Sequence, residues 1–166
     1  MRGVAPAQSA WTLASSGVTD ARWGVCHGGG QFVAVGEKGT ILTSADGLAW
    51  TRRDSGTTVW LTSVAYGLGH YVAVGDAGTV LLSQDAVSWV NVAAARSGVP
   101  TDRLNVIAFG GINDSFVCYG EDRRTLSLAL PVQLTWSDSP ERPRGRWWRG
   151  FATAHDRIVL GGETGL

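Results

Sequence analysis

No excess of charge of either sign marks this chain: fourteen basic residues meet fourteen acidic ones, and the formal net charge at pH 7 is zero. The long-range attraction to phosphate that nucleic-acid and anionic-membrane binding exploits is therefore missing from the molecule as a whole. Cysteine is scarce. Cys26 and Cys118 sit singly inside the apolar runs "WGVCHGG" and "SFVCYGE", where a thiol behaves as a small buried hydrophobe, so neither a disulfide nor a zinc site is expected. The histidines, His27, His70 and His155, share no ligand spacing, and no glycine-rich phosphate loop opens a helix, so no metal and no cofactor is expected. Long hydrophobic runs are lacking too. The start, "MRGVAPAQSA", has no apolar stretch of the secretory kind, and nowhere do about 18 apolar residues follow one another. Neither a signal peptide nor a membrane span is expected, and no stretch shows a helical period.

One local concentration of basic residues stands out, "RPRGRWWRG" from Arg142 to Gly150. Such a mixture of arginine and tryptophan can stack bases, sugars or aromatic ligands, or it can be an exposed loop whose tryptophans tuck under their neighbours. What the chain has in abundance is glycine, 23 residues in 166, among 44% hydrophobic and 17% charged residues. That composition describes a glycine-punctuated globular chain of one compact domain.

The sequence repeats itself. "SADGLAW", Ser44 to Trp50, returns thirty-nine positions later as "SQDAVSW", Ser83 to Trp89, and "GQFVAVGEKGTILTSADGLAWT" falls on "GHYVAVGDAGTVLLSQDAVSWV" without a gap. A third, degenerate copy runs from Leu104 through "SFVCYGEDRRTLSL" to "LTWSDS", with about three extra residues before Ser115 and two more before Trp136. A fourth begins at "RGFATAHDRIVLGGETGL" and stops mid-repeat; its missing half matches the N-terminal "AWTLASSGVTDARWGV". The repeats run over about 22–59, 60–100 and 103–142, with a split copy of 146–166 plus 1–17, and together make a single unit of 1–166.

Within a repeat, short apolar elements are separated by Gly-, Asp- or Ser-rich breaks every 8–12 residues, the pattern of an all-β chain. The second element, "FVAVG" or "YVAVG", is apolar at consecutive positions, as in a strand covered on both faces. Gly36 with Gly39, and Gly75 with Gly78, bracket a hairpin that needs positive φ or close backbone approach. Between them stands an acidic residue in every copy, at Glu37, Asp76, Glu121 and Glu163. These carboxylates either accept amides left unpaired by the tight turn, or form a ring near one mouth of an axial channel that holds a cation. In "SADGLAW", Asp46 is expected to bond amides of its own turn, Gly47 to supply a permissive backbone and Trp50 to bury its ring; Ser83, Asp85 and Trp89 repeat the corner with Ala86 in the glycine's place.

This S-x-D-G-x-x-W turn, following "FVAVGxxGTIL", resembles the Asp-box repeats of sialidase-like and photosystem-II-assembly-factor-like bacterial β-propellers. The resemblance covers nearly the whole chain, though two Asp-boxes are clear and both are one residue shorter between Ser and Trp than the usual sialidase form. It implies a β-propeller of four-stranded antiparallel blades, four per chain, in which Asp-boxes are structural. The group includes glycoside hydrolases and assembly factors, so fold is implied more strongly than activity. A propeller holds together when its last sheet meets its first. The two chain ends are expected to share a blade, either within one chain, giving a four-bladed monomer, or between two chains, giving an eight-bladed homodimer; a fragment of a larger propeller is the third arrangement. The eight-bladed ring is preferred, because blades of this size with large aromatic side chains normally form rings of six to eight.

On that reading the fourth-to-first connections and the second-to-third hairpins share the ligand face. Arg22, Trp23, Trp60, Trp148 and Arg149 are the candidate ligand-binding residues, suited to a peptide or a carbohydrate. The equivalence of Trp60 with Trp147 gives that tryptophan a packing role as its alternative. A sialidase-like hydrolase needs an arginine cluster, an activated tyrosine and a general acid on convergent strands. Tyr66, Tyr71 and Tyr119 do not provide this, because Tyr71 replaces Phe32 in the repeat and so belongs to the core. No catalytic residue is assigned. A non-catalytic binding or scaffold module leads, with the hydrolase and a purely structural repeat assembly as alternatives.

Overall fold

Each apolar run of the repeat folds as a strand, and each glycine-rich break as a turn. The computed structural model describes residues 14–93, 102–110, 114–121, 124–129, 133–138, 148–154 and 157–162, with the backbone alone at Arg124, Ala129 and from Gln133 onward. Blade 1 is β1 (Arg22–Gly28), β2 (Gln31–Gly36), β3 (Ile41–Ser44) and β4 (Thr51–Arg53). Blade 2 is β5 (Leu61–Gly67), β6 (His70–Gly75), β7 (Val80–Ser83) and β8 (Val90–Asn91). Blade 3 is β9 (Leu104–Gly110), β10 (Ser115–Gly120), β11 (Arg124–Ala129) and β12 (Gln133–Asp138). A two-stranded sheet of β13 (Trp148–Ala154) and β14 (Arg157–Gly162) follows. Every sheet is an antiparallel meander in chain order, and the first strands stack in sequence, β1 on β5, β5 on β9 and β9 on β13. The expected pairing of the two chain ends lies outside the described residues. Among the described residues no helix is long and apolar enough to cross a membrane.

The blades stack through unlike faces. Val33, Val35 and Ile41 on the back of blade 1, all at 0% exposure, form one cluster with Val64, Tyr71, Ala73 and Leu81 on the front of blade 2. The same positions recur one blade on, where Val72, Val74 and Val80 meet Ile107, Phe116 and Leu126. This two-sided burial is why "FVAVG" is apolar at consecutive positions: odd residues serve one neighbour and even residues the other. Each such side chain withdrawn from water contributes about 1.5–3 kcal/mol before entropy is counted.

Close approach of the first strands depends on glycine. A Cβ on Gly28 would lie 2.2 Å from the ring of Tyr66, and one on Gly67 2.1 Å from the ring of Phe109. Tyr66 and Phe109 hold equivalent register positions, so each blade lays an aromatic ring over the glycine that ends the preceding blade's first strand. The Tyr71 hydroxyl donates to the Gly28 carbonyl across the same joint. Between blades 2 and 3 the Ser63 hydroxyl accepts the Ile107 N–H at 3.2 Å. Thr62 Oγ1, with one proton to give, lies within reach of both Val74 O and the Leu104 carbonyl of blade 3.

The third repeat departs from its sequence alignment. Aligned by tryptophan, Trp136 takes the place of Trp50; in the sheet, Leu126 pairs with Trp136 as Leu42 pairs with Arg52, so Trp136 stands two positions further on. Leu128 occupies the place of Ser44 and Ser83. The physical reason is the pairing: β11 stays paired with β12 as far as Ala129 and Gln133, past the position at which β3 and β7 end in Ser44 and Ser83.

Gly67→Ala is expected to destabilise the chain by about 1–3 kcal/mol in urea unfolding, because the Phe109 ring must leave its seat. Combining it with Phe109→Leu should restore part of that loss, a coupling that a double-mutant cycle measures.

Candidate functional site

The blades share one edge at which the connections into each first strand meet the turns between second and third strands. The N–H of Glu37 donates to Ala21 O at 3.0 Å, that of Asp76 to Trp60 O at 2.9 Å, and that of Glu121 to Arg103 O at 3.1 Å. Gly39 N–H donates across to Val59 O at 2.7 Å, and Gly78 N–H to Asp102 O at 2.9 Å, tying each turn to the connection that enters the next blade. Gly36 is extended (φ −170°), and its need is space: a Cβ there would lie 2.1 Å from the Ala21 carbonyl oxygen. The left-handed positions of the turn are Lys38 and Gly39, repeated as Ala77 and Gly78.

The acidic turn residues do something other than cap their own turns. Those turns already spend their amides on carbonyls, Gly36 on Thr40 O and Thr40 on Glu37 O, so Glu37 reaches instead to the Ala21 N–H at 3.4 Å. Asp76 meets Arg103 Nε at 3.2 Å, a charge contact whose angle falls short of a hydrogen bond. Glu121 occupies the same turn position in blade 3, and Glu163 lies outside the described residues. Among the described residues no three His, Cys, Asp or Glu side chains gather to hold a metal.

At this edge every first strand carries a register slip at one place: between Arg22 and Gly24, Leu61 and Ser63, Leu104 and Val106, and Trp148 and Gly150. The extra residues are Trp23, Thr62, Asn105 and Arg149. A bulge re-aims its side chain, and at Trp23 and Thr62 it turns the residue toward the following blade. Thr62 thereby reaches Leu104, and Trp23 stacks on Trp60 with centroids 6.1 Å apart and ring planes 21° apart. Both rings remain open to solvent, Trp23 at 48% and Trp60 at 39%. Arg22 is exposed beside them, its guanidinium donating to Val18 O at 3.3 Å. Asp20 pairs with Lys38 at 2.8 Å and accepts the Thr40 hydroxyl; the Lys38 ammonium holds its carboxyl below the usual range, and Asp20 in turn raises Lys38. The amide nitrogen of Asn105 is buried without a hydrogen-bond partner. Trp148 and Arg149 hold, by backbone register, the places of Arg22 and Trp23. Two of the five candidate ligand residues, Trp23 and Trp60, are thus brought together, and no sequence signal announced the bulge that does it.

The opposite edge carries the Ser-Asp corners. Asp46 Oδ1 accepts the N–H groups of Leu48 and Ala49 at 2.8 and 2.9 Å and the Ser44 hydroxyl at 3.0 Å, while Trp50 Nε1 donates to Gly47 O at 3.0 Å. Asp85 takes Val87 and Ser88 N–H at 2.8 Å and the Ser83 hydroxyl at 3.1 Å, and Trp89 Nε1 donates to Ala86 O. Gly47 has φ +76°, and Ala86 accepts φ +58° while fully buried against blade 1. With these polar atoms spent on their own turns, little is left to offer a ligand. Tyr71 and Tyr119 are buried, burial raises the Tyr71 hydroxyl, and burial pushes Cys26 up to about 12 and Cys118 higher still.

No protein-family model matches the chain, and no curated protein matches it. Among solved structures it is similar to selenomethionine-substituted virginiamycin B lyase from Staphylococcus aureus, with a TM-score of 0.64 and 11% identity over 73% of this chain and 42% of that one. It is also similar to the structure described as YCF48 bound to D1 peptide, with a TM-score of 0.57 and 14% identity over 94% of this chain and 52% of that one. At such identities the likeness carries fold alone, and the chain is β-propeller-like. It spans about half the length of these two structures.

The Asp85 carboxyl is held down at about 2, against 3.8 unperturbed, chiefly by the Ser88 and Val87 amides; Asp46 is lowered in the same way by Ala49 and Leu48. A lowered carboxylate stabilises the fold fully above its unfolded value, and that contribution is lost as pH falls through the folded value. The melting temperature should therefore hold at neutral pH and fall between about pH 4 and about pH 2. In the double variant Asp46→Asn/Asp85→Asn the neutral value should be lower and the acid fall shallower; an equally steep fall would remove the corners as its source.

Proposed function

We propose that the chain is a non-catalytic propeller module that binds an extended peptide along the edge carrying the connections into the first strands. The observation that carries this reading is the solvent-open stack of Trp23 on Trp60 with Arg22 beside it. Two rigid indoles supply a large apolar surface at small entropic cost, and their N–H edges and the neighbouring guanidinium supply direction, the composition of a binding hot spot. That a structure similar to this chain is described as YCF48 bound to D1 peptide favours a peptide over a carbohydrate. The tyrosines speak against a catalytic reading of the sialidase kind: Tyr71 and Tyr119 are buried, and Tyr66 packs on Gly28 and Tyr71.

The test is a peptide array probed with the purified chain, run beside a glycan array, with the strongest peptide carried into calorimetry. Trp23→Ala should weaken that peptide at least about tenfold while moving the melting temperature little, because the ring is exposed. Retained affinity in Trp23→Ala, or binding confined to glycans, would overturn the proposal.

A further inference from the structure

On the back of blade 2, beside its Ser-Asp corner, lies an open cavity of about 430 Å³ whose lining residues belong to that blade. Leu82, Val90 and Val92 make its apolar side, and Val90 is 64% exposed. The three share one face, since Leu82 pairs with Val90 and the Val92 N–H donates to Val80 O at 2.9 Å. His70, Gln84 and Asp85 make its polar side.

In blade 1 the chain covers the corresponding place with its own side chains. Thr43 stands where Leu82 does, and Arg53 where Val92 does, by the same register. Arg53 Nε donates to Thr43 Oγ1 at 3.0 Å, which lays the arginine along the sheet toward the corner. Gln31, at the place of His70, donates across the joint to Asp85 O of blade 2 at 3.1 Å. Blade 2 has neither device. Val92 has no length to cross to position 82, and the leucine there accepts nothing. His70 folds back on its own hairpin, with Nδ1 at 2.8 Å from Leu68 O and Nε2 at 3.1 Å from Gln84 Nε2. An imidazole that donates from Nδ1 to a carbonyl accepts at Nε2, so Gln84 gives it an amide proton and keeps the lone pairs of Oε1.

The corner is common to both blades, and in blade 2 it leaves one acceptor over. The Val87 and Ser88 amides and the Ser83 hydroxyl all bond Asp85 at Oδ1, so Oδ2 keeps its lone pairs. The amides that hold this carboxyl down at about 2 keep it ionised well into acid. No Lys or Arg stands among the lining residues to neutralise it.

We propose that this cavity binds an arginine side chain of a partner polypeptide, supplied in trans where blade 1 supplies Arg53 in cis. The methylenes of that arginine lie over Leu82, Val90 and Val92, and its guanidinium meets Asp85 Oδ2 and Gln84 Oε1. Two acceptors side by side suit the planar fork of a guanidinium, and the carboxylate repels an acidic segment. The cavity lies at the edge opposite Trp23 and Trp60, and the proposal does not rest on peptide binding there.

Nuclear magnetic resonance titration of the isotope-labelled chain tests it. The probe is the acetylated, amidated peptide Ala-Ala-Arg-Ala-Ala, and the control is the same peptide with citrulline, the uncharged isostere, in place of arginine. Saturable shifts should appear at the Val87 and Ser88 amides, which bond Asp85, and the citrulline peptide should bind at least about tenfold more weakly. Val90→Lys, at an exposed position, should set a cation beside Asp85 and abolish those shifts without moving the melting temperature. Leu82→Thr/Val92→Arg writes the blade 1 pair into blade 2 and should close the cavity from within, with the same loss of shifts. Trp23→Ala should leave them unchanged, which separates this site from the tryptophan edge. Equal affinity for the citrulline peptide, no shift at Val87 and Ser88 with millimolar probe, shifts that vanish in Trp23→Ala, or full affinity in Val90→Lys would overturn the proposal.

Discussion

Backbone lying against backbone at the joint between first strands is the contact on which the rest of this structure depends. A Cβ on Gly24 would lie 2.9 Å from Ser63 Cα, and those on Gly28 and Gly67 would enter the rings of Tyr66 and Phe109. Because the strands come this close, Ser63 can take the Ile107 amide and Thr62 can reach the Leu104 carbonyl. The turn amides of Gly39 and Gly78 reach the connections of the next blade for the same reason. Burying backbone at such a joint demands that its donors and acceptors find partners; the inter-blade hydrogen bonds supply them, and the apolar clusters then fill the space further out.

The sequence showed the parts of this design that repeat and hid the parts that lie between copies. The period was legible because stacking imposes the same side chains at the same register: the two-sided "VAV" run, the glycines that must yield to a carbonyl, the corner that spends Ser44 and Asp46 on its own amides. Trp136 fell out of register where the β11–β12 pairing runs on past the corner position to Ala129 and Gln133, since a tryptophan is a conspicuous marker and a poor guide to register when strand length changes. The partners of the acidic turn residues were hidden for a different reason. Their amides and carboxylates find partners in connections fifteen or more positions away in sequence, such as Ala21 for Glu37, and a local rule about turns cannot see that.

The bulge explains why the candidate binding residues differ from blade to blade while the core does not. Side chains that face a neighbouring blade are held to the size and shape of that neighbour, as Tyr66 and Phe109 are. The bulged position lies at the strand's end, where Trp23 and Thr62 turn toward the next blade and the demands of the stack are few. Trp23, Thr62, Asn105 and Arg149 occupy that one place with an aromatic ring, a hydroxyl, an amide and a guanidinium. Thr62 has been drawn into the joint, and Trp23 has kept its surface open. The position therefore has the chemical freedom that a specific binding edge requires, on a scaffold whose geometry the stack keeps fixed.

Stacking and binding use perpendicular directions of the same sheet, and the bulge is what separates them. Without the extra residue, simple alternation would put Trp23 on the face of Val25 and His27, and any partner covering that face would bury the indole. With it, position 23 turns to the following blade and the strand end, as position 62 does in touching Leu104, while positions 25 and 27 keep the face of Val64 and Tyr66. A blade with two unlike faces always leaves one front and one back unsatisfied until a stack closes. A partner seated on the exposed strip at Val25 would leave the tryptophan edge, with its Trp23–Trp60 stack, untouched.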